Sequence, residues 1–269
     1  RSGRRGRAGC AQSGADRRGS ARRRRTRLTE AGATYYATVA RVLDDLDEAR
    51  GVVGEVRGSP KGRLRVSAPM TLTLVCFSAA IPRFLEQYPD LTLDLRLDDR
   101  RVNIVDEGFD LAIRGTNRLE DSSLIARKLK SLPYVVCGAP KYFERAGTPT
   151  TPEDLVHHEC IKFSLSGTAH VWSFRKGDSV VRQRVKGRYE VSSSLAVRDA
   201  LCEGHGVSLI PLDYVRAELR TGRLRAVLGD WKTDESTLYA VYPTARFVAP
   251  KVRAFIGFLE AELGDDGSS

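Results

Sequence analysis

Apolar and polar residues along this chain follow two periods that exchange with one another from residue 28 onward. Tyr35, Val39, Val42, Leu46, Ala49, Val53 and Val56 recur at spacings of four and three, with Arg41, Asp44, Asp45, Asp47 and Glu48 on other faces. That spacing predicts a helix over 28–58 carrying a seam of about three heptads. The strict alternation favours a dimerising coiled coil; a single amphipathic helix lying on its own domain is the alternative. Gly58-Ser59-Pro60 ends it, because proline disfavours helix at the residue before it.

Beyond that helix the period falls to two. Arg63–Ala68 alternates as a strand, with Leu64, Val66 and Ala68 on one side. Leu72–Gln87 reads as an amphipathic helix, Leu91–Leu97 as a strand and Val102–Glu107 as a short helix closed by Gly108. Phe109–Ile113 and Pro133–Cys137 are buried strands, and Ala139–Ala146 a short helix. Thr151-Pro152-Glu153-Asp154 opens another helix, with proline early and acids near its positive end. Trp172–Phe174 and Val180–Val185 pair through Lys176-Gly177-Asp178. Leu212–Leu219 is a helix, Leu238–Tyr242 a strand and Val252–Leu263 a final amphipathic helix before the polar end Gly264–Ser269. Strands alternating with helices predict a parallel-rich α/β fold.

One stretch organises the rest, Val191–Pro211. Ser192, Ser193 and Ser194 lead into a helix over Leu195–Glu203, which Gly204 and Gly206 stop before a buried strand, Val207–Ile210. A helix start with hydroxyls at a sheet edge presents free N–H groups and attracts carboxylates. A plain capped helix packed on a sheet gives the same pattern.

Composition narrows the classes. Hydrophobic residues make up 41% and charged residues 29% of the 269, enough for a large core and more than one domain. No apolar run approaches the ~18 residues of a membrane span, and no apolar segment follows the arginine-rich start as a secretory signal requires. The net charge of +10 sits wholly in residues 1–27, which hold eleven arginines and one aspartate; residues 28–269 sum to zero. That tail, with almost no large apolar side chain, is expected to be disordered. Its Arg22, Arg23, Arg24, Arg25 and Arg27 would contact DNA without regard to sequence. The five cysteines, Cys10, Cys76, Cys137, Cys160 and Cys202, are odd in number and scattered, as in a reducing cytoplasm. A redox switch is the alternative.

Catalytic and cofactor signatures fail in turn. Gly204-His205-Gly206 precedes a strand and has Leu209 where a dinucleotide fingerprint needs its third glycine. Ser173-Phe174-Arg175-Lys176 fits S-x-x-K without its companion motifs. His157 and His158 are adjacent and point apart, and Cys160 brings no fourth zinc ligand at usable spacing. The expectation is a protein that binds rather than reacts, with no metal and no cofactor.

Several phrases, in order, resemble one family. Arg25-Thr26-Arg27-Leu28-Thr29-Glu30-Ala31-Gly32, Gly62-Arg63-Leu64-Arg65-Val66-Ser67-Ala68-Pro69 and Phe84-Leu85-Glu86-Gln87-Tyr88-Pro89 are similar to LysR-type transcriptional regulators. So are Asp106-Glu107-Gly108-Phe109-Asp110-Leu111-Ala112-Ile113-Arg114, Asp121-Ser122-Ser123-Leu124 and Gly204-His205-Gly206-Val207-Ser208-Leu209-Ile210-Pro211. The resemblance covers residues 25–263 and implies a linker-helix homodimer or homotetramer. It also implies an effector domain over 59–269 built like type II periplasmic binding proteins. Lobe I is expected at 61–134 and 241–263 and lobe II at 135–240, with crossings near Leu132–Val135 and Leu238–Tyr242 forming the hinge.

A small effector, a carboxylate above all, would sit between the lobes. Pro69, Met70, Thr71, Arg114 and Gly115 are expected from lobe I, and Phe163, Ser164, Ser192, Ser193 and Ser194 from lobe II. Arg114 is a candidate ionic partner of the carboxylate, or the partner of Asp110 or Glu120 in a salt bridge. The family's winged helix-turn-helix precedes its linker. Here only the end of the wing is matched, and residues 1–24 carry no helix-turn-helix pattern, as in a misread frame or mis-set start, or a natural basic arm. Sequence-specific DNA reading is therefore not expected of residues 1–24. A transport solute-binding protein, a stand-alone ligand sensor and an enzyme on the same scaffold are the other classes considered.

Overall fold

The computed structural model describes Thr29, Gly32, Tyr35, Val39 and residues 59–100, 103–116, 124–243 and 248–264. The chain divides into two units, Arg1–Ala49 and Arg50–Ser269. In the first, Gly32, Tyr35 and Val39 are helical, and the Gly32 N–H donates to Thr29 Oγ1 (3.1 Å). The arginines of the tail and the seam positions Val42, Leu46, Ala49, Val53 and Val56 lie outside the described residues.

In the second unit, alternation does what the pattern predicts. β1 (Gly62–Ala68) buries Leu64, Val66 and Ala68 completely. It pairs in parallel with β2 (Leu91–Leu97) on one side and β3 (Leu111–Thr116) on the other. β4 (Leu124–Leu132) carries no clean period-two signal in sequence. Its pairing with β13 (Ser236–Pro243) shifts register between Leu238 and Tyr239, and that bulge turns its side chains out of alternation. The five strands run in the order β2-β1-β3-β13-β4, with β13 antiparallel to both neighbours.

Two helices expected in this part of the chain are corrected. The stretch predicted as one helix over Leu72–Gln87 is four short turns. α1 (Met70–Leu72) widens into a π turn over Thr73–Phe77, tightens over Ser78–Ala80 and resumes as α2 (Ile81–Gln87). Thr73 Oγ1 and Ser78 Oγ donate to the carbonyls of Pro69 (2.8 Å) and Leu74 (3.2 Å), and Pro82 removes a backbone donor. Around Val102–Glu107 the described residues form turns. Asn103 Oδ1 accepts from the Val105 and Asp106 N–H groups at 3.2 and 3.3 Å, and these local bonds displace the helical ladder.

The chain leaves this sheet through Pro133 and enters β5 (Tyr134–Gly138), which lies between β10 (Val207–Pro211) and β11 (Arg225–Val227), antiparallel to both. α3 (Pro140–Ala146) follows. Thr151 and Asp154 then form a capping box on the 3-10 turn Pro152–His157. β6 (Lys162–Phe163) pairs in parallel with β9 (Glu190–Val191), while β7 (Val171–Lys176) and β8 (Ser179–Arg184) form the expected hairpin, joined by β12 (Lys232–Thr233). α4 (Ser194–Cys202) packs Val197 and Leu201 inward. The helix expected over Leu212–Leu219 is divided at Val215 into a tight turn, Leu212–Tyr214, and α5 (Arg216–Arg220).

The return crossing lies at Asp234 and Glu235, between β12 and β13, so residues 236–240 pair in the five-stranded sheet. The two crossings are tied together. Thr233 Oγ1 donates to Tyr134 O (3.4 Å) and the Tyr134 hydroxyl meets Ser236 Oγ at 3.3 Å, while the Leu212 N–H, after β10, donates to Pro133 O (2.9 Å). α6 (Pro250–Gly264) closes the first layer by burying Phe255, Ile256, Leu259 and Leu263, with Phe255 edge-on to Phe84. Among the described residues, no helix is long and apolar enough to cross a membrane.

Candidate functional site

Between the two sets of strands lies a cleft of about 960 Å³. One wall is the carboxyl end of β1 and the chain after it: Pro69, Thr71, and Arg114 and Gly115 on β3. The facing wall brings Phe163 after β6 and Ser194 at the first turn of α4. This is where an open α/β sheet leaves room, since strand ends and helix starts converge there.

Of the ten residues expected at the site, six line this cleft: Pro69, Thr71, Arg114, Gly115, Phe163 and Ser194. The other four do not. Met70 turns its side chain to solvent, while its N–H donates to Asp99 Oδ1 (2.8 Å). Ser193 is the cap of α4; its Oγ accepts from the Ala196 N–H at 3.4 Å. Ser192 and Ser164 are exposed, and the Ser164 N–H is spent on Val191 O (2.9 Å).

Two of the lining hydroxyls stand apart. Thr71 is 2% exposed and Ser194 7%, and neither hydroxyl has a hydrogen-bond partner among the described residues. Neither oxygen is sealed from water, as Arg65 Nε and Asp213 Oδ2 are, so both hydroxyls open onto the cavity and are available to a polar ligand there. Arg114 is held along its strand, donating to Ile113 O (3.0 Å) and Ser67 Oγ (3.3 Å). Asp110, one of its two expected partners, instead takes the Arg65 N–H (2.7 Å) and Lys251 Nζ (3.2 Å). Glu120 lies outside the described residues.

Sequence reasoning missed the acids. Asp98 and Asp99, just past β2, line the wall beside Thr71, and Asp234 and Glu235 of the return crossing line the same cavity. Burial pushes the Asp99 carboxyl up, the Met70 N–H pulls it back in part, and Asp98 pushes it further. No local signal marks Asp98 and Asp99: they reach the cleft because β2 pairs in parallel with β1, so their carboxyl ends open side by side.

Cys137, Cys160 and His158 have structural roles. Burial pushes the Cys137 and Cys160 thiols up to about 12, far from a reactive thiolate at neutral pH. The Tyr142 hydroxyl accepts the Glu159 N–H (2.9 Å) and shares a hydrogen bond with His158 Nδ1 (3.1 Å), which holds that ring in the core. Gly206 serves contact between backbones: a Cβ there would meet Glu159 O at 2.1 Å.

Comparison with known proteins places this cleft in context. Residues 57–264 match the family model described as the LysR substrate binding domain. An HTH-type transcriptional regulator of Xanthomonas campestris is 34% identical over 247 residues, which are 90% of this chain and 72% of that protein. PtxR of Pseudomonas aeruginosa, another HTH-type transcriptional regulator, is 34% identical over 244 residues, 90% of this chain and 77% of its own length. Among solved structures, the LysR-type regulator CrgA of Neisseria meningitidis superposes with a TM-score of 0.70 at 28% identity, covering 90% of this chain and 83% of CrgA. These three are transcriptional regulators, not enzymes.

Proposed function

This chain belongs to the LysR family of transcriptional regulators, and on that premise we propose that a small organic carboxylate, bound between its lobes, is the effector to which it responds. The pair of cavity-facing hydroxyls without a hydrogen-bond partner among the described residues, Thr71 and Ser194, carries this reading. The carboxylate sits at the start of α4, where Ser194 Oγ and the first N–H groups of the helix point to negative charge. Arg114 adds positive charge from the floor, Pro69 and Gly115 shape the lobe I wall, and Phe163 covers the ligand from lobe II. Thr71 supplies the second hydroxyl. Lobe I comprises the five-stranded sheet with α6, and lobe II the strands between the crossings.

The remaining roles follow the same family pattern. The seam from Tyr35 through Val56 joins copies into a homodimer or homotetramer, and the arginines of residues 1–27 add salt-sensitive contact with DNA phosphates. The protein works in the bacterial cytoplasm, where its DNA is. Small carboxylates screened by thermal shift test the cleft, since a ligand at 100 times its dissociation constant adds about 2.7 kcal/mol of stability. Ser194→Ala and Thr71→Val should each weaken binding by about ten- to a hundredfold, the cost of one hydrogen bond to a charged group. A ligand indifferent to both variants binds elsewhere and overturns the assignment.

A further inference from the structure

Charge in the cleft is uneven, and its pattern says more about the ligand than its volume does. The lobe I wall and the return crossing supply four carboxylates, Asp98, Asp99, Asp234 and Glu235, against the guanidinium groups of Arg100 and Arg114. Arg100 is already held on Asp98, by its N–H at 2.8 Å and its Nε at 3.9 Å from the same oxygen. Asp99 differs. It is half-buried, its only hydrogen bond is to the Met70 N–H, and no cation lies within ion-pair distance of it among the described residues. A carboxylate removed from water without a cation is costly, and closing a ligand over it raises that cost unless the ligand brings positive charge.

The facing wall has the opposite character. Ser194 begins a nine-residue helix whose cap, Ser193, is a neutral hydroxyl, so the positive end of α4 is not offset by an acid. Thr71 lies one residue beyond the Met70 N–H that Asp99 accepts, and its unpartnered hydroxyl can accept as readily as donate. One side of the cavity therefore favours an anion and the other a cation.

We infer that the effector is a zwitterion, a small carboxylate that also bears an ammonium group, its carboxylate at Ser194 and α4 and its ammonium between Asp99 and Thr71. This deepens the carboxylate reading and rests on the cleft being the effector site. Ile161, Phe163 and Trp172 in the same lining leave an apolar wall for the rest of the molecule, which makes an amino acid with an apolar side chain the matching class.

The test titrates the full chain with the protein amino acids, each beside its des-amino acid and its methyl ester, by thermal shift and then calorimetry. At least one amino acid should bind, with both analogues weaker by about tenfold or more. Asp99→Asn is the informative variant, because an asparagine oxygen still accepts the Met70 N–H and the charge alone is lost. It should weaken the amino acid about tenfold and leave its des-amino acid within about threefold. Ser194→Ala should weaken both.

If des-amino acids bind as tightly as amino acids, and lose affinity with Ser194→Ala, the zwitterion is wrong and the carboxylate cleft stands. Esters that bind as tightly as amino acids also overturn it, in favour of a cationic ligand. If neither class binds, or binding ignores Ser194→Ala and Thr71→Val, the inference and the cleft assignment fall together.

Discussion

Two helix starts face each other across this cleft, and they answer the same need in different ways. At α1 the exposed donor is the Met70 N–H, and it is satisfied from outside by a carboxylate, Asp99, twenty-nine residues away. At α4 the donor is the Ala196 N–H, and it is satisfied from within by a serine hydroxyl three residues back. Both caps are adequate hydrogen bonding. Only the first brings a negative charge, so two starts that look alike in sequence present opposite potentials to a ligand.

The largest way to break the comparison is to remove one side of it. Gly206→Ala places a methyl group where Glu159 O stands at 2.1 Å, and the obstacle is backbone that cannot rotate away. The turn that leads from α4 into β10 must move, and denaturant titration should show a loss of about 3 kcal/mol. Ligand binding at Ser194 should fall with it.

A finer cut exchanges the caps. Asp99→Ala uncaps α1 and should cost about 1 kcal/mol of stability, and Ser193→Ala somewhat less, since its 3.4 Å bond is the longer one. Affinity should separate two neighbouring serines. Ser193→Ala should lower the melting temperature and leave ligand affinity within about threefold, while Ser194→Ala should do the reverse. Equal effects at both positions would mean that the ligand reads the helix end as a whole rather than one hydroxyl.

The smallest effect is a pH dependence of unusual sign. Burial holds the Asp99 carboxyl above its ordinary value of 3.8, so the fold favours its protonated form. The stability it contributes is then present below that ordinary value and is lost as pH rises through the folded value. Asp99→Asn should therefore gain on the parent between acid and neutral pH, by roughly a few tenths of a kcal/mol because the group is half in water. Melting curves of both proteins across that range check it, and a gain in the opposite direction would reverse the assignment.

Much of this molecule can be read from residue patterns, and the parts that cannot have physical reasons. Leu64, Val66 and Ala68 announce β1 because one face of it is dry, and Ser193 announces α4 because capping is local. β4 is hidden, because its bulge breaks the very period that would reveal it. Thr71 and Ser194 could be named in advance from strand ends and hydroxyls, whereas Met70, Ser164, Ser192 and Ser193 share those signals and face elsewhere. Asp99 could not be placed at all, since its role depends on which strand lies beside β1. That is a property of the assembled sheet, and no window of sequence contains it.

The paired crossings have a mechanical consequence. A single polypeptide connection would let two bodies swivel about any bond within it. Two connections side by side, stitched by Thr233 and Ser236 onto Tyr134, would behave as a pin passing through both. Rotation about such a pin would survive and other rotations would be resisted, so any opening and closing is expected to trace one arc. Whatever chemistry a ligand presented to the walls, the expected readout is a single angle.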